Sequence, residues 1–240
     1  MPGPERDPVF VLLHSPLVGP TAWSQVAREL ERRGRQAIVP SLLEVARAEA
    51  PQWRHVPEAV RAATTRTPGP IVLAGHSGAG PLLPAIADAL TPEVAALVFA
   101  DSFLPPPSGG VNLAPSELMD SLRGLASDGL LPPWSSWFGE QEMRELVPDD
   151  RLRGALEDEM PRLPLSYFDA TVPVPEGWEA RPCAYLLLSG EPYGESAADA
   201  RGRGWPVAEI AGVKHLAIAT EPIAVTDELL ELERALLGSA

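Results

Sequence analysis

One serine stands in surroundings that suit a nucleophile. Ser77 follows the short apolar run at residues 71–74, and residues 82–90 carry apolar side chains at helical spacing. Three glycines and an alanine flank the serine within residues 75–80. A chain that turns from strand to helix in a few residues needs unusual backbone angles, and only small neighbours fit around it. The sequence therefore predicts that Ser77 is held out above the end of a sheet, beside the positive end of the following helix.

The stretch Gly75-His76-Ser77-Gly78-Ala79 resembles the Gly-x-Ser-x-Gly nucleophile elbow of the α/β-hydrolase superfamily, with Ala79 in place of the second glycine. The resemblance covers nearly the whole chain and points to the small, cofactor-free esterase and hydroxynitrile-lyase-like group. It also rests on the loop at His14, on the segment 97–105 and on the segment 212–215. It implies an enzyme with a serine nucleophile, no cofactor and no metal.

A serine hydroxyl is a weak nucleophile until a base takes its proton. The resemblance puts this base on a loop after the last strand, where His215 is the only histidine. It offers two sites for the acid that orients the imidazole. Glu191, after the strand that precedes the strand of the histidine, is the favoured acid. Asp101, directly after the strand that follows Ser77, is the alternative.

The oxyanion hole of such an enzyme needs two preorganised hydrogen-bond donors. The resemblance implies the N–H of Gly78 and a second donor from the loop after the first strand. Pro16 occupies the position that commonly gives this second N–H, and proline has none. We expect Leu17 N–H or the Ser15 hydroxyl to replace it, or a hole with one backbone donor only. His14 is expected to brace this loop and, with Pro16, to border the substrate.

Stretches of strand composition alternate with helical patterns along the chain. This alternation predicts an α/β protein with a doubly wound, mainly parallel sheet of about six strands, whose site lies at the carboxyl ends of the strands. The alternation breaks after Asp101. We expect residues 1–104 and 179–240 to form an α/β-hydrolase core and residues 105–178 to form a helical lid over the site.

The predicted lid contains many large aromatic side chains. Ligand pockets are mostly apolar, so we expect Trp134, Trp137 and Phe138 to line a pocket above Ser77. The alternative is that these rings only attach the lid to the sheet. A hydrophobic acyl or polycyclic substrate fits such a pocket better than a sugar phosphate or a nucleotide.

Composition excludes several classes of protein. The chain has 240 residues and a formal net charge of −14, which argues against a nucleic-acid partner. A single cysteine, Cys183, permits neither an intramolecular disulfide nor a thiolate metal cluster. Residues 1–8 lack the apolar region of a signal peptide, and no apolar run is long enough to span a membrane. These features predict a cytoplasmic protein without a membrane partner. We expect a monomer or a homodimer.

Three functions are consistent with the sequence. The leading prediction is a serine hydrolase that cleaves an ester, thioester or lactone of a mainly hydrophobic small molecule. The second is a lyase or cyclase that uses Ser77 and His215 for proton transfer. Ser15 stands where hydroxynitrile lyases of this fold have threonine, which favours it, whereas Leu216 stands where they have lysine. The third is a ligand-binding protein with a vestigial triad.

Overall fold

The computed structural model describes residues 7–238, so most of the N-terminal segment assessed for a signal peptide lies outside the described residues. Within them, eight strands occur: β1 (Val9–Leu13), β2 (Ala37–Ile38), β3 (Ile71–His76), β4 (Val94–Ala100), β5 (Gly109–Asn112), β6 (Thr171–Val174), β7 (Cys183–Leu187) and β8 (Val207–Glu209). Six of them form a parallel sheet in the order β2-β1-β3-β4-β7-β8. This confirms the predicted α/β fold.

Helices alternate with the strands of the main sheet, as the sequence pattern predicts, and three of them lie within residues 105–178. The helices are α1 (Thr21–Arg32), α2 (His55–Thr64), α3 (Leu83–Ala89), α4 (Ser116–Leu125), α5 (Glu140–Leu146), α6 (Asp150–Asp158), α7 (Gly194–Gly202), α8 (Ala217–Thr220) and α9 (Pro222–Leu237). None of the helices in residues 7–238 is long and apolar enough to cross a membrane.

The central strands β1 and β4 are apolar throughout, and β3 is apolar up to Ala74, because both faces of the sheet are covered there. Every residue of β1 and β3 is buried. Val11, Leu13 and Leu73 belong to the core on one face, whereas Phe10 and Leu12 belong to the core on the other. The middle of the sheet is therefore packed on both faces beneath the loops at its carboxyl edge.

The segment 105–178 connects β4 to β7 and contains α4, α5 and α6. It also contains an antiparallel pair, β5 with β6, which the sequence analysis did not predict. The pair joins Gly109 to Val174 across the whole length of the segment. Hydrophobic periodicity within a short stretch cannot predict a pairing between residues so far apart in sequence. Glu159, just after α6, accepts the N–H of Thr21 at the start of α1 at 2.8 Å, which attaches the segment to the core.

Candidate functional site

Ser77 lies at a strained turn directly after β3. Its φ is +55°, in the left-handed region that residues with a side chain rarely adopt. The chain then forms a 3₁₀ turn, Ser77–Leu82, before α3 begins. A Cβ on Gly75 would come within 2.8 Å of Leu83, and one on Gly80 would overlap the side chain of Ser102. The small residues around Ser77 therefore have a steric cause.

His215 lies on the loop after β8, and its imidazole meets Asp101. The Nδ1 atom is 2.7 Å from Asp101 Oδ2, and the Asp101 side chain is fully buried. The backbone N–H groups of Leu188 and Ser189 each donate to Asp101 Oδ1 at 2.9 Å, and the Ser189 hydroxyl donates to Oδ2. Asp101 itself has a φ of +45°. Four donors thus hold this carboxylate in place.

The structure brings His215 together with Asp101, the alternative acid, and not with the favoured Glu191. Glu191 is exposed and lies four residues beyond the end of β7, on the wall of the cavity that also contains Ser77. Asp101 immediately follows β4, which pairs with β7. Because Asp101 is the first residue after β4, its carboxylate stays at the edge of the sheet, within reach of the His215 imidazole. Glu191 lies farther along the loop after β7.

The charge state of Asp101 follows from its partners. Burial by itself raises the pKa of this carboxyl, but hydrogen bonds from His215 and Ser189 and the charge of His215 outweigh burial, so that the pKa lies below its ordinary value. An ionised carboxylate accepts the Nδ1 proton of His215, which leaves Nε2 as the unprotonated nitrogen of the neutral ring. That is the tautomer a general base requires.

Two further rings pack against the imidazole of His215. The ring of Tyr193 is stacked on it at 5.1 Å with an interplanar angle of 14°, and the ring of His76 lies at 4.4 Å and 35°. The Nε2 atom of His76 is 2.9 Å from the carbonyl oxygen of His215, so His76 ties the end of β3 to the histidine loop. Burial and, to a smaller extent, the neighbouring His215 together lower the pKa of His76 to about 3, which keeps this ring neutral.

Tyr193 is the site residue that sequence reasoning missed. It lines the same cavity as Ser77, and its ring contacts His215 as described above. The available signal was its place in the segment 188–193, which the sequence analysis examined for an acid. The stacking itself depends on the relative position of two loops that are distant in sequence.

The residues expected to form an oxyanion hole lie together. Ser15, Leu17 and Gly78 line the cavity with Ser77. The Leu17 N–H donates to Ser15 Oγ at 3.3 Å, and a Cβ on Gly78 would lie 3.0 Å from the same oxygen. Because Ser15 Oγ accepts the Leu17 N–H, its own proton is available to a second acceptor beside Gly78.

His14 and Pro16 do not border the cavity among the described residues, contrary to expectation. His14 is fully buried. Its Nδ1 contacts the carbonyl oxygen of Ser15 at 2.8 Å, and its Nε2 accepts the N–H of Leu42 at 3.0 Å. Both ring nitrogens are therefore occupied by backbone groups, and burial lowers the pKa of the ring. His14 therefore holds the loop from the side opposite the cavity. Pro16 is buried between two residues that line the cavity, and its Cδ would lie 3.7 Å from a Cβ on Gly78.

A cavity of about 470 Å³ opens above Ser77. Its walls are largely apolar, and segment 105–178 contributes seven of the residues: Leu113, Pro115, Leu118, Trp134, Trp137, Leu146 and Phe168. The ring of Trp134 lies 6.2 Å from that of His215. Phe138 was expected in this wall but is absent from the described lining, since it packs edge-to-face behind Trp134 at 5.1 Å.

Charged side chains in this wall are few. Lys214 lines the cavity beside His215 and pairs with Glu145 of α5 at 3.3 Å. Glu191 is the acidic residue of the described lining. Within residues 7–238, no three His, Cys, Asp or Glu side chains are grouped so that they could hold a metal ion.

A family model and the similar solved structures both point to one family. Residues 10–228 match the model of the alpha/beta hydrolase family. Among solved structures, the chain is similar to an extracellular alpha/beta-hydrolase from a Paenibacillus species, described as structurally and functionally homologous to tobacco salicylic acid binding protein 2. The identity is 18% and the TM-score 0.73, over 94% of this chain and 99% of that one.

Two further structures are similar at the level of the fold. Polyneuridine aldehyde esterase matches with 17% identity and a TM-score of 0.69, over 95% of this chain and 100% of the esterase. A pyrethroid hydrolase matches with 18% identity and a TM-score of 0.70, over 98% and 99% of the two chains. No sequence among curated proteins matches this chain.

Proposed function

Because the chain belongs to the alpha/beta hydrolase family, we propose that it is a serine hydrolase that cleaves an ester, thioester or lactone of a mainly hydrophobic small molecule. One observation carries the proposal. The Nδ1 atom of His215 is 2.7 Å from the buried carboxylate of Asp101, and the imidazole shares a cavity with Ser77. The proposed triad is therefore Ser77, His215 and Asp101.

The reaction proceeds through an acyl-enzyme. Ser77 Oγ attacks the carbonyl carbon of the substrate while its proton passes to His215 Nε2, and Asp101 stabilises the resulting imidazolium. The imidazolium gives this proton to the departing alcohol or thiol as the acyl bond breaks. Water then attacks the acyl group, again with His215 as base. The acid leaves as the proton returns to Ser77 Oγ.

The oxyanion that forms in each step needs donors on the side of Gly78. We assign one to the Gly78 N–H and the other to the Ser15 hydroxyl, which is held by the Leu17 N–H at 3.3 Å. A side-chain hydroxyl then replaces the backbone donor that Pro16 cannot supply.

The cavity supports the substrate class. Its volume of about 470 Å³ and its aromatic walls suit an apolar acyl or alcohol group, and the net charge of −14 disfavours anionic substrates. Two of the similar structures bear the names of an esterase and a pyrethroid hydrolase. Segment 105–178, which supplies much of the cavity wall, acts as the lid in this proposal. Cytoplasmic location and a monomeric or homodimeric state stay predictions.

Fluorophosphonate labelling tests the proposal without a known substrate, because such probes react with serines that a neighbouring base activates. We expect rapid labelling of the wild type at Ser77, located by peptide mass spectrometry, and its loss in Ser77→Ala and His215→Ala. Ser41→Ala is the matched control, since Ser41 is exposed and outside the site. Absence of labelling in the folded wild type would contradict the proposal.

A lyase on the same scaffold is the second candidate, and the Ser15 hydroxyl beside Gly78 is the observation that favours it. Reaction in ¹⁸O-labelled water separates the two. A hydrolase incorporates one labelled oxygen into the acid released from a p-nitrophenyl ester, whereas a lyase splits its substrate without incorporation. A folded protein that is not labelled by the fluorophosphonate and does not turn over such esters would fit the third alternative, a ligand-binding protein with a vestigial triad.

A further inference from the structure

The loop after β7 binds the acid of the proposed triad. Ser189 is the second residue of this loop. Its backbone N–H donates to Asp101 Oδ1 at 2.9 Å, and its hydroxyl donates to Asp101 Oδ2. The Nδ1 atom of His215 lies 2.7 Å from the same Oδ2. The Ser189 hydroxyl and the imidazole therefore share one carboxylate oxygen, and the loop expected to supply the acid instead supplies a donor to it.

We propose that Ser189 is a positioning residue of the catalytic centre, an inference that rests on the serine hydrolase proposed above. Its hydroxyl holds the Asp101 carboxylate in the orientation that the His215 imidazole needs, and it limits the negative charge that Oδ2 presents to the imidazole. Ser189 acts through Asp101 and transfers no proton in this scheme.

The orientation of the carboxylate depends on both of its oxygens. The N–H groups of Leu188 and Ser189 hold Oδ1, but the terminal torsion of an aspartate is soft, so these two donors leave Oδ2 free to swing. An ionised carboxylate only accepts hydrogen bonds, so the Ser189 hydroxyl has to be the donor at Oδ2. This bond holds Oδ2 whether or not the imidazole is bonded to it, and the acceptor for Nδ1 is therefore in place before the reaction begins.

The hydroxyl also affects how strongly the carboxylate stabilises a protonated imidazole. Burial raises the pKa of Asp101, whereas hydrogen bonds from His215 and Ser189 lower it below its ordinary value. Without the Ser189 hydroxyl, more negative charge stays on Oδ2 and the imidazolium next to it is favoured. The base then takes up its proton at a higher pH, so the acidic limb of kcat/KM, which reports this protonation in the free enzyme, moves to higher pH.

Several other ionisable groups lie around this pair and contribute to the pH profile. Among the described residues they are His76 at the end of β3, Tyr185 of β7, Tyr193 and Glu191 of the loop after β7, and Lys214 with its partner Glu145 of α5. Substitution of Ser189 changes none of these groups and adds no charge. A shift between wild type and variant therefore reports the lost hydroxyl.

The test is Ser189→Ala with p-nitrophenyl butyrate as substrate. We expect kcat to fall about tenfold, the size of one hydrogen bond to a charged group, with KM within about twofold. The acidic limb of kcat/KM should move up by about 0.5 pH unit. Ser189→Thr keeps a hydroxyl and should restore most of kcat and the position of the limb. If Ser189→Ala does not fold, Ser189→Cys, a weaker donor of similar size, takes its place and should show the same shift.

Ser102→Ala is the matched control. Ser102 directly follows Asp101 and is fully buried, and its hydroxyl has no hydrogen-bond partner among the described residues. Its backbone N–H and carbonyl bond to the Tyr185 hydroxyl, and alanine keeps both. This variant should have the kcat and the pH profile of the wild type. Thermal unfolding shows whether each variant is folded.

Three results would overturn the inference. Wild-type kcat and pH profile in Ser189→Ala would show that the hydroxyl does not position Asp101. A lower kcat with an acidic limb that is unchanged or moves down would make Ser189 only a structural contact of its loop. A raised KM with unchanged kcat would make it only a wall of the cavity. In each case the serine hydrolase would stand, because the wild type is still labelled at Ser77 by the fluorophosphonate. A folded wild type without labelling would remove the proposed function as well.

Discussion

The Nδ1 atom of His215 lies 2.7 Å from Oδ2 of Asp101, across 114 residues of sequence. The sheet makes this contact possible. His76 and Ala100 are register partners at the ends of β3 and β4, so Ser77 and Asp101, the next residue of each strand, leave the sheet side by side. Both adopt a positive φ there. Backbone strain at two neighbouring strand ends is typical of a functional site held by the surrounding fold.

Substitution of the two acids tests the triad. Asp101→Asn should lower ester turnover by a factor on the order of 10⁴, because an amide stabilises the wrong tautomer of the imidazole. Glu191→Gln is the matched control and should stay within about twofold, since the exposed Glu191 carboxylate makes no hydrogen bond to His215 in residues 7–238. Both are measured as kcat/KM on the same p-nitrophenyl ester. The reverse ranking would return the acid to Glu191.

The oxyanion hole is tested at Ser15. Ser15→Ala removes the hydroxyl beside Gly78 and should lower kcat by about 10²–10³-fold, the usual effect of one lost donor. Ser15→Thr keeps a hydroxyl and should retain most activity. If Ser15→Ala were as active as the wild type, the Leu17 N–H, released from Ser15 Oγ, would be the second donor instead.

Burial of His76 makes stability depend on pH. Its pKa falls from 6.5 to about 3 on folding, so between these values the unfolded chain binds more protons and the free energy of unfolding decreases as the pH falls. We expect His76 to account for a loss of about 2 kcal/mol between pH 7.5 and pH 5.

Urea unfolding of His76→Gln at both pH values measures this contribution. The variant should lose less stability than the wild type on acidification, whereas His55→Gln, at a surface histidine, should lose as much as the wild type. His14, whose pKa burial also lowers, remains in all three proteins and gives the residual slope. Equal slopes in wild type and His76→Gln would show that His76 does not titrate as described.

The aromatic residues of segment 105–178 should differ in their effects. Trp134→Ala and Trp137→Ala enlarge the cavity and should shift the preferred acyl length of p-nitrophenyl esters upward, because both rings line it. Phe138→Ala should leave that preference unchanged and lower the free energy of unfolding by about 1–2 kcal/mol, as expected for a partly buried ring. A changed preference in Phe138→Ala alone would place the substrate elsewhere.

The sequence by itself determined the strands of the main sheet and the turn at Ser77, and it singled out Ser77 and His215 as the proposed nucleophile and base. Apolar runs indicated each strand of the main sheet, and the glycines around Ser77 indicated the turn after β3. Both signals are local, because hydrophobic periodicity and the space available at a tight turn depend on residues close in sequence. His215 was found because one histidine occupies the loop after the last strand.

Tertiary structure decided what surrounds these two residues. Whether Asp101 or Glu191 reaches the imidazole depends on the pairing of β4 with β7, and the contacts of Tyr193 depend on two loops that meet in space. The same holds for the cavity, where Trp134 and Trp137 face inward and Phe138 packs behind them. A local pattern gives the types of residue in a loop, but a distance between loops is set by the packing and register of the whole sheet.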